Sequence, residues 1–197
     1  SVSKISKISK KIGFTNFKQY VEFLHKRDTL KVNESNEFSK IQEFINTFDE
    51  SRVDEITKDI DSHSKIILFG YGPSLLLAQY FEYRLRTVSS KVVIAVVDAL
   101  SLASLTDKKT LVIIFTATGA YKNFDNIYSA ASNKGAKVVI VAQNYNLDLS
   151  SQCDNIFYLT NKQNPSELEP YEQSRTLFFI FMEEVVQKVI ANNKQSQ

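Results

Sequence analysis

Glycine and hydroxyl residues follow two apolar runs of the sequence, where a ligand's anionic group could bind. The sequence GYGPS spans residues 70–74 after the apolar run 66–69, and TATGAY spans residues 116–121 after the run 111–115. Glycine lets a backbone turn tightly and approach a ligand, and a helix N-terminus with hydroxyls favours an anion. Each loop alone would also suit an ordinary strand-to-helix turn. Together they predict one pocket for a phosphorylated small molecule.

Nucleotide cofactors fit these loops poorly. The third glycine of the dinucleotide-binding pattern is replaced by Leu75, and Asp98 lies 28 residues after Gly70. An acid that holds the ribose usually lies about 20 residues after the motif. Neither loop continues into the Gly-Lys-Ser/Thr of a phosphate-binding P-loop. We therefore expect no cofactor.

The supply of histidine and cysteine also limits the chemistry. His25 and His63 are the only histidines and Cys153 is the only cysteine, so neither a zinc site nor a histidine-based nucleophile is expected. A single cysteine cannot form an internal disulfide, which favours a cytoplasmic location. No apolar run reaches the roughly 20 residues that a membrane span needs.

Five short apolar runs, rich in Val and Ile, predict the strands of a parallel sheet that is buried on both faces. They span residues 66–69, 92–97, 111–115, 138–141 and 156–159. Helical patterns lie between or after them, at residues 73–86, 123–133 and 169–191. Two further helices are predicted at 38–48 and 52–61, the second with a capping box at 51–54. This alternation predicts a three-layer α/β sandwich around a five-stranded parallel sheet.

The N-terminal segment differs from the rest in charge. Residues 1–31 contain eight Lys or Arg against two Asp or Glu, a net charge of +6, whereas the remaining residues carry −4. Ile5, Ile8 and Ile12 predict a short helix over residues 3–12, and a second helix follows from about residue 16. The lysines indicate either a polyanion partner or a solvated face.

Residues 65–191 resemble a sugar isomerase (SIS) domain, a flavodoxin-like fold that binds phosphosugars. The family motif G-x-G-x-S is matched within residues 70–74, and a motif close to S-x-S-G-x-T is matched conservatively within 116–121, where Tyr121 stands in place of the last hydroxyl residue. The resemblance implies that the phosphosugar is bound by Gly70, Gly72, Ser74, Thr116, Thr118, Gly119 and Tyr121.

The sequence KKIGFTNF at residues 10–17 resembles the end of the helix-turn-helix domain of RpiR-type transcription regulators. The resemblance implies a recognition helix whose DNA-facing residues are Ser3, Lys4, Ser6, Lys7 and Lys11. The family's first helices have no counterpart here, so a truncated DNA-binding domain is expected at residues 1–31. A linker with helices would follow at 32–62, and the SIS domain at 63–194.

These resemblances predict a sugar-phosphate-sensing transcriptional regulator rather than an enzyme. Its partners would be a sugar phosphate, DNA in the complete form, and further copies of the chain, joined through the apolar helices near 38–48 and 170–191. An aldose–ketose isomerase is the alternative, and its base would come from Glu82, Glu167, Glu169 or Glu172, since residues 64–197 contain no histidine. A scaffold that binds no ligand is a third possibility, if Tyr121 fills the pocket.

Overall fold

The computed structural model describes residues 37–162 and 172–195, together with Phe17, Tyr20 and Val21. These three residues are helical, and the rings of Phe17 and Tyr20 lie 6.2 Å apart. The helix predicted at residues 3–12, with its proposed DNA-contacting side chains, lies outside the described residues.

The five predicted strands form a single parallel sheet. Its strand order is β2-β1-β3-β4-β5, and every neighbouring pair is parallel. The middle three strands are buried along nearly their whole length, as their continuous apolar runs predict. The strands are β1 Lys65–Gly70, β2 Val92–Val96, β3 Thr110–Thr116, β4 Lys137–Ala142 and β5 Ile156–Tyr158.

Seven helices are described before, between and after the strands, beside the three helical residues Phe17, Tyr20 and Val21. They are α1 Glu37–Thr47, α2 Ser51–Ser62, α3 Pro73–Val88, α4 Ala99–Leu105, α5 Asp125–Asn133, α6 Leu147–Gln152 and α7 Thr176–Gln195. A 3-10 turn, Tyr121–Asn123, precedes α5. Strand and helix alternate as the sequence indicates.

The helices divide between the two faces of the sheet, which produces the predicted three layers. Side chains alternate along each strand, so Ile66 and Leu68 of β1 pack towards α1, α2, α3 and α7. Ile67 and Phe69 pack on the other side, towards α4, α5 and α6. We call these the α7 face and the α5 face.

Helix α7 lies in the middle of its layer, because it packs against α2 on one side and α3 on the other. Arg84 of α3 donates two hydrogen bonds to the Glu183 carboxylate of α7, at 2.7 and 2.8 Å, and Tyr80 donates a third. Burial raises the pKa of Glu183, but these hydrogen bonds outweigh it, and the net pKa is lowered. The carboxylate therefore stays charged and holds α3 to α7.

One predicted helix start and one predicted helix cap are wrong. The last helix begins at Thr176 instead of near residue 169, because the Ser174 hydroxyl accepts a hydrogen bond from the Thr176 N–H at 3.1 Å and caps it. Residues 51–54 form no capping box. Asp49 caps this helix from outside, accepting the N–H of Ser51 at 3.0 Å, while Asp54 pairs with Lys188 of α7.

Helices α4 and α6 were not predicted. They have seven and six residues, which is too short for a helical period to stand out in the sequence. Each begins with a side-chain cap instead: Asp98 accepts the N–H of Ser101 at 2.8 Å, and Asn146 accepts the N–H of Leu149 at 3.1 Å.

Candidate functional site

The two predicted loops meet at the carboxyl edge of the sheet, at its topological switch point. Gly70 ends β1 opposite Phe115 of β3, so the loops after these strands start side by side. From β1 the chain turns to α3 on the α7 face, and from β3 it turns to α5 on the opposite face. Neighbouring strands whose connections diverge in this way leave a crevice, where ligands bind in open α/β sheets.

Residues 70–74, the glycine loop, bring the start of α3 directly onto the end of β1. A β-carbon at Gly70 would lie 2.4 Å from the Ser74 carbonyl oxygen. Gly72 has φ +52° and ψ −125°, a conformation that L side chains rarely adopt, and Pro73 is the first helical residue. These requirements bring Ser74, only 4% exposed, to the N-terminus of a 16-residue helix. The positive end of its dipole favours an anion there.

Residues 116–121, the hydroxyl loop, are shaped by their own hydroxyl groups. The Thr116 Oγ1 accepts a hydrogen bond from the Gly119 N–H at 3.1 Å, and the Thr118 Oγ1 accepts one from the Ala120 N–H at 3.3 Å. Gly119 has φ +65°, which the turn requires. Because both hydroxyls act as acceptors here, each keeps its own O–H to donate to an anion.

Residues 143–146, which follow β4, complete this edge and were missed by the sequence reasoning. The Gln143 N–H donates to the Thr116 carbonyl at 3.1 Å. The Asn146 side chain donates to the Thr118 carbonyl at 3.2 Å, and it would meet a β-carbon at Gly119 at 3.0 Å. These contacts support the hydroxyl loop from below. Their position in the sequence could have identified them, because these polar residues come just after the predicted strand at 138–141.

Tyr121 lies within an aromatic group on the α5 face. Its ring is 5.6 Å from that of Phe124 and 5.8 Å from that of Tyr128, both edge-to-face. The side chain packs against the core on that face. Its ring therefore belongs to the packing under α5, while the other residues of its loop form the crevice edge.

The candidate acids are placed differently from one another. Asp98 caps α4, and the Ser101 backbone and hydroxyl hydrogen bonds lower its pKa, which is a structural role. Glu82 pairs with Arg86 at 3.3 Å on α3. Glu172 is exposed just before α7, and Glu167 and Glu169 lie outside the described residues. In the described part of the chain, no three His, Cys, Asp or Glu side chains group as metal ligands.

Tyr71 of the glycine loop is influenced by two acidic side chains. Burial, and then the charges of Asp125 and Asp98, raise the pKa of Tyr71. Its ring lies edge-to-face on Phe69 at 4.8 Å. The phenol therefore keeps its proton and can donate a hydrogen bond at the mouth of the crevice.

Comparison with known proteins identifies this architecture. The SIS domain family matches residues 59–180. The chain belongs to the SIS domain family. The sequence resemblance is thereby confirmed, and the SIS match covers both loops, β1 to β5 and the first turns of α7. Among helices searched over the described residues, none is long and apolar enough to cross a membrane.

One curated relative of this SIS-domain chain is a transcription regulator. An uncharacterized HTH-type transcriptional regulator of Providencia stuartii, encoded in the aarA 3′ region, is 28% identical over 105 residues. The match covers 52% of this chain and 37% of that protein. The chain thus spans well under half the length of the regulator that it matches.

Solved structures with the same fold include regulators and an enzyme. The NanR protein of Vibrio vulnificus, complexed with ManNAc-6P, has a TM-score of 0.68 at 16% identity, covering 99% of this chain and 76% of that one. The sugar isomerase domain of an RpiR transcription factor from Sphaerobacter thermophilus has a TM-score of 0.59 at 10% identity, covering 81% and 94%. A phosphoheptose isomerase from Francisella tularensis has a TM-score of 0.61 at 17% identity, covering 83% and 99%. These likenesses show the fold.

Proposed function

We propose that this chain is the effector-binding part of a sugar-phosphate-sensing transcriptional regulator. The observation that carries the proposal is the meeting of two hydroxyl-bearing loops at the switch point of an SIS sheet, beside the N-terminus of α3. Two similar proteins point the same way: the Providencia relative is named a transcriptional regulator, and NanR was solved with ManNAc-6P. Residues 1–31 would belong to the DNA-binding domain, residues 32–62 would be the linker with helices, and residues 63–194 would be the sensor.

The phosphate would bind across the two loops. Ser74 donates its hydroxyl from the α3 terminus, and Thr116 and Thr118 donate theirs from the opposite loop. Gly70, Gly72 and Gly119 keep the backbone close enough for this contact, and Tyr121 anchors the hydroxyl loop through its aromatic packing. A hydrogen bond to a charged group contributes about 1.5–3 kcal/mol, so three of them suffice to select phosphate esters.

A thermal-shift screen over ManNAc-6P, fructose 6-phosphate and other sugar phosphates tests the binding. A ligand at about 100 times its Kd should stabilise the chain by about 2.7 kcal/mol. Ser74→Ala and Thr118→Val should each weaken binding by about 1–3 kcal/mol, whereas Ser129→Ala, on the exposed side of α5, should not. The pocket assignment is wrong if no sugar phosphate stabilises the wild type, or if both loop variants bind as well as it does.

The effector would act by changing how copies of the chain pack. Helix α1 leaves Phe38 86% and Ile45 60% exposed, seven residues apart and so on the same helix side. We propose that this side lies in a homodimer or larger assembly, in the cytoplasm. Ile45→Asp should then lower the molar mass measured by light scattering, and an unchanged mass would contradict this part of the proposal.

Isomerase activity is the alternative, because a phosphoheptose isomerase shares the fold. We propose no turnover. An isomerase needs a base that moves a proton between adjacent carbons of the sugar. Glu82, the candidate base on α3, is paired with Arg86. Exchange of the C2 proton of fructose 6-phosphate in heavy water, followed by NMR, tests this. Exchange that disappears in Glu172→Gln would establish the enzyme instead.

DNA binding is proposed only for a form with a complete helix-turn-helix domain. A recognition helix reads bases when its partner helices hold it against the backbone, so residues 3–12 alone should bind DNA weakly and with strong salt dependence. An anisotropy titration with a palindromic site and a scrambled control compares the two forms. If the complete form selects no site from random DNA, the regulator proposal fails.

A further inference from the structure

Two buried glutamines have side-chain atoms without a hydrogen-bond partner in the part of the chain that the structure describes. Gln143 and Gln173 are only 7% and 6% exposed. These atoms are the Oε1 of Gln143 and both amide atoms of Gln173. A buried polar group left unpaired costs about 1–3 kcal/mol. Two such glutamines in one small domain therefore call for an explanation.

Gln143 directly follows β4, whose last residue is Ala142. It lies at the carboxyl edge beside Thr116, to whose carbonyl its N–H donates.

Gln173 lies near the same end of the sheet. The ring of Phe178, in the first turn of α7, meets the ring of Phe115 near the end of β3 at 6.2 Å, and Phe115 pairs with Val141 of β4. Gln173 comes five residues before Phe178 and three before the start of α7. The start of α7 and the end of β4 therefore lie towards the same edge of the sheet, where Gln143 follows β4 and Gln173 precedes α7.

Ser74, the residue proposed above to bind the phosphate, lies at the same edge of the sheet. Helices α3 and α7 run in the same direction, since Tyr80 and Arg84 contact Glu183 near their middles and Asn193 contacts the Val88 carbonyl near their ends. Both N-termini thus lie at the carboxyl edge. A molecule whose phosphate is held at Ser74 would extend its remaining groups towards the glutamines.

We propose that Gln143 and Gln173 bind the hydroxyl groups of the effector's sugar and so select which sugar phosphate is sensed. An amide is neutral and offers a donor and an acceptor together, which matches the hydroxyl groups of a sugar better than a second phosphate. The assignment rests on the proposed function and adds the residues for the uncharged part of the ligand. It also gives a partner to buried amide atoms that have none in the described part of the chain.

The assignment further connects the ligand to α1. Gln173 is followed by Ser174, whose hydroxyl donates to the Glu37 carboxylate at the start of α1. The amide atoms of Gln173 have no contact with solvent, so a sugar reaches them only if residues 172–175 shift. Such a shift changes the Ser174–Glu37 contact, and α1 carries the exposed side proposed above as a subunit interface.

Leucine substitutions separate this role from a purely structural one. Gln143→Leu and Gln173→Leu keep a similar volume and remove the unpaired amides, so the ligand-free variants should melt no lower than the wild type. By isothermal titration calorimetry, each should bind ManNAc-6P or fructose 6-phosphate, whichever the wild type binds better, at least 10-fold more weakly. Stabilisation by millimolar inorganic phosphate should be unchanged. Gln187→Leu, at an exposed position of α7, is the control and should change neither affinity.

Each other outcome has a definite meaning. If the wild type binds a sugar phosphate and both variants bind it equally well, the glutamines only hold buried water, and this inference is overturned while the proposed function stands. A parallel loss of melting temperature and of affinity for inorganic phosphate would show a structural role and also overturn it. If the wild type binds no sugar phosphate, the proposed function fails first, and the inference fails with it.

Discussion

A β-carbon on Gly70 would lie only 2.4 Å from the carbonyl oxygen of Ser74. Both residues belong to a short turn that passes from β1 directly into α3. The contact is with backbone, which cannot rotate away as a side chain could. The position of Ser74, the proposed phosphate-binding residue on α3, thus depends on the absence of a side chain four residues earlier.

Gly70→Ala should therefore displace the first turn of α3. We expect a loss of about 1–3 kcal/mol in the free energy of unfolding, as for other overpacked sites, and a loss of sugar-phosphate binding. Gly135→Ala is the matched control. Gly135 has a strained φ of +76°, but its β-carbon would meet Lys108 at an ordinary 3.5 Å. Chemical denaturation and calorimetry should show that this control loses stability and keeps its affinity.

Asn146→Ala should weaken both α6 and the hydroxyl loop. It removes a helix cap, which costs about 0.5–2 kcal/mol, and the hydrogen bond to the Thr118 carbonyl. Asp98→Ala removes a comparable cap from α4 without touching that loop. The two variants should lose similar stability, but only Asn146→Ala should bind sugar phosphate more weakly. Equal affinities would mean that Asn146 does not support the loop.

Asp107 should make the stability of the chain depend on acid pH. The Lys65 ammonium, at 2.8 Å, the Lys109 N–H and the Thr110 hydroxyl lower its pKa from 3.8 to about 2. Because the folded pKa lies below the unfolded one, this stabilisation is complete above pH 3.8 and disappears as the pH falls through about 2.

Melting curves of the wild type and Asp107→Asn between pH 5 and pH 2 test this directly. The variant should melt lower at pH 5, and the difference should shrink as the pH falls. Lys65→Met should reproduce most of the effect, since the ammonium is the largest cause of the lowered pKa. A difference in melting temperature that stays constant with pH would refute the assignment.

Cys153 should react slowly with thiol reagents. It is 6% exposed, and burial raises its pKa from 9.0 to about 11. At pH 8 the thiolate fraction should then fall by about two orders of magnitude. Alkylation by iodoacetamide, followed by mass spectrometry, should be fast in denaturant and slow in the native chain. Comparable rates in the two states would place the thiol at the surface.

Local sequence determined the strands, the main helices and the two loops. The five apolar runs are long enough to require burial on both faces, and this leaves few alternatives to a parallel sheet between helix layers. The two loops could be predicted because their residue types favour tight turns and anion-binding helix starts. These residues are the glycines at 70, 72 and 119 and the hydroxyl residues at 74, 116 and 118. The family motifs then supported the same residues.

Tertiary structure decided what local pattern could not express. The last helix starts at Thr176 because Ser174 caps it, and the Asp54 carboxylate pairs with Lys188, 134 positions away, instead of capping its own helix. In the sequence alone, Gln143 and Asn146 resemble ordinary loop residues. The pairing of β4 with β3 brings both residues against the hydroxyl loop. Whether a polar side chain is solvated or buried without a partner depends on elements distant in sequence. The buried amide atoms without partners, rather than any motif, therefore revealed Gln143 and Gln173.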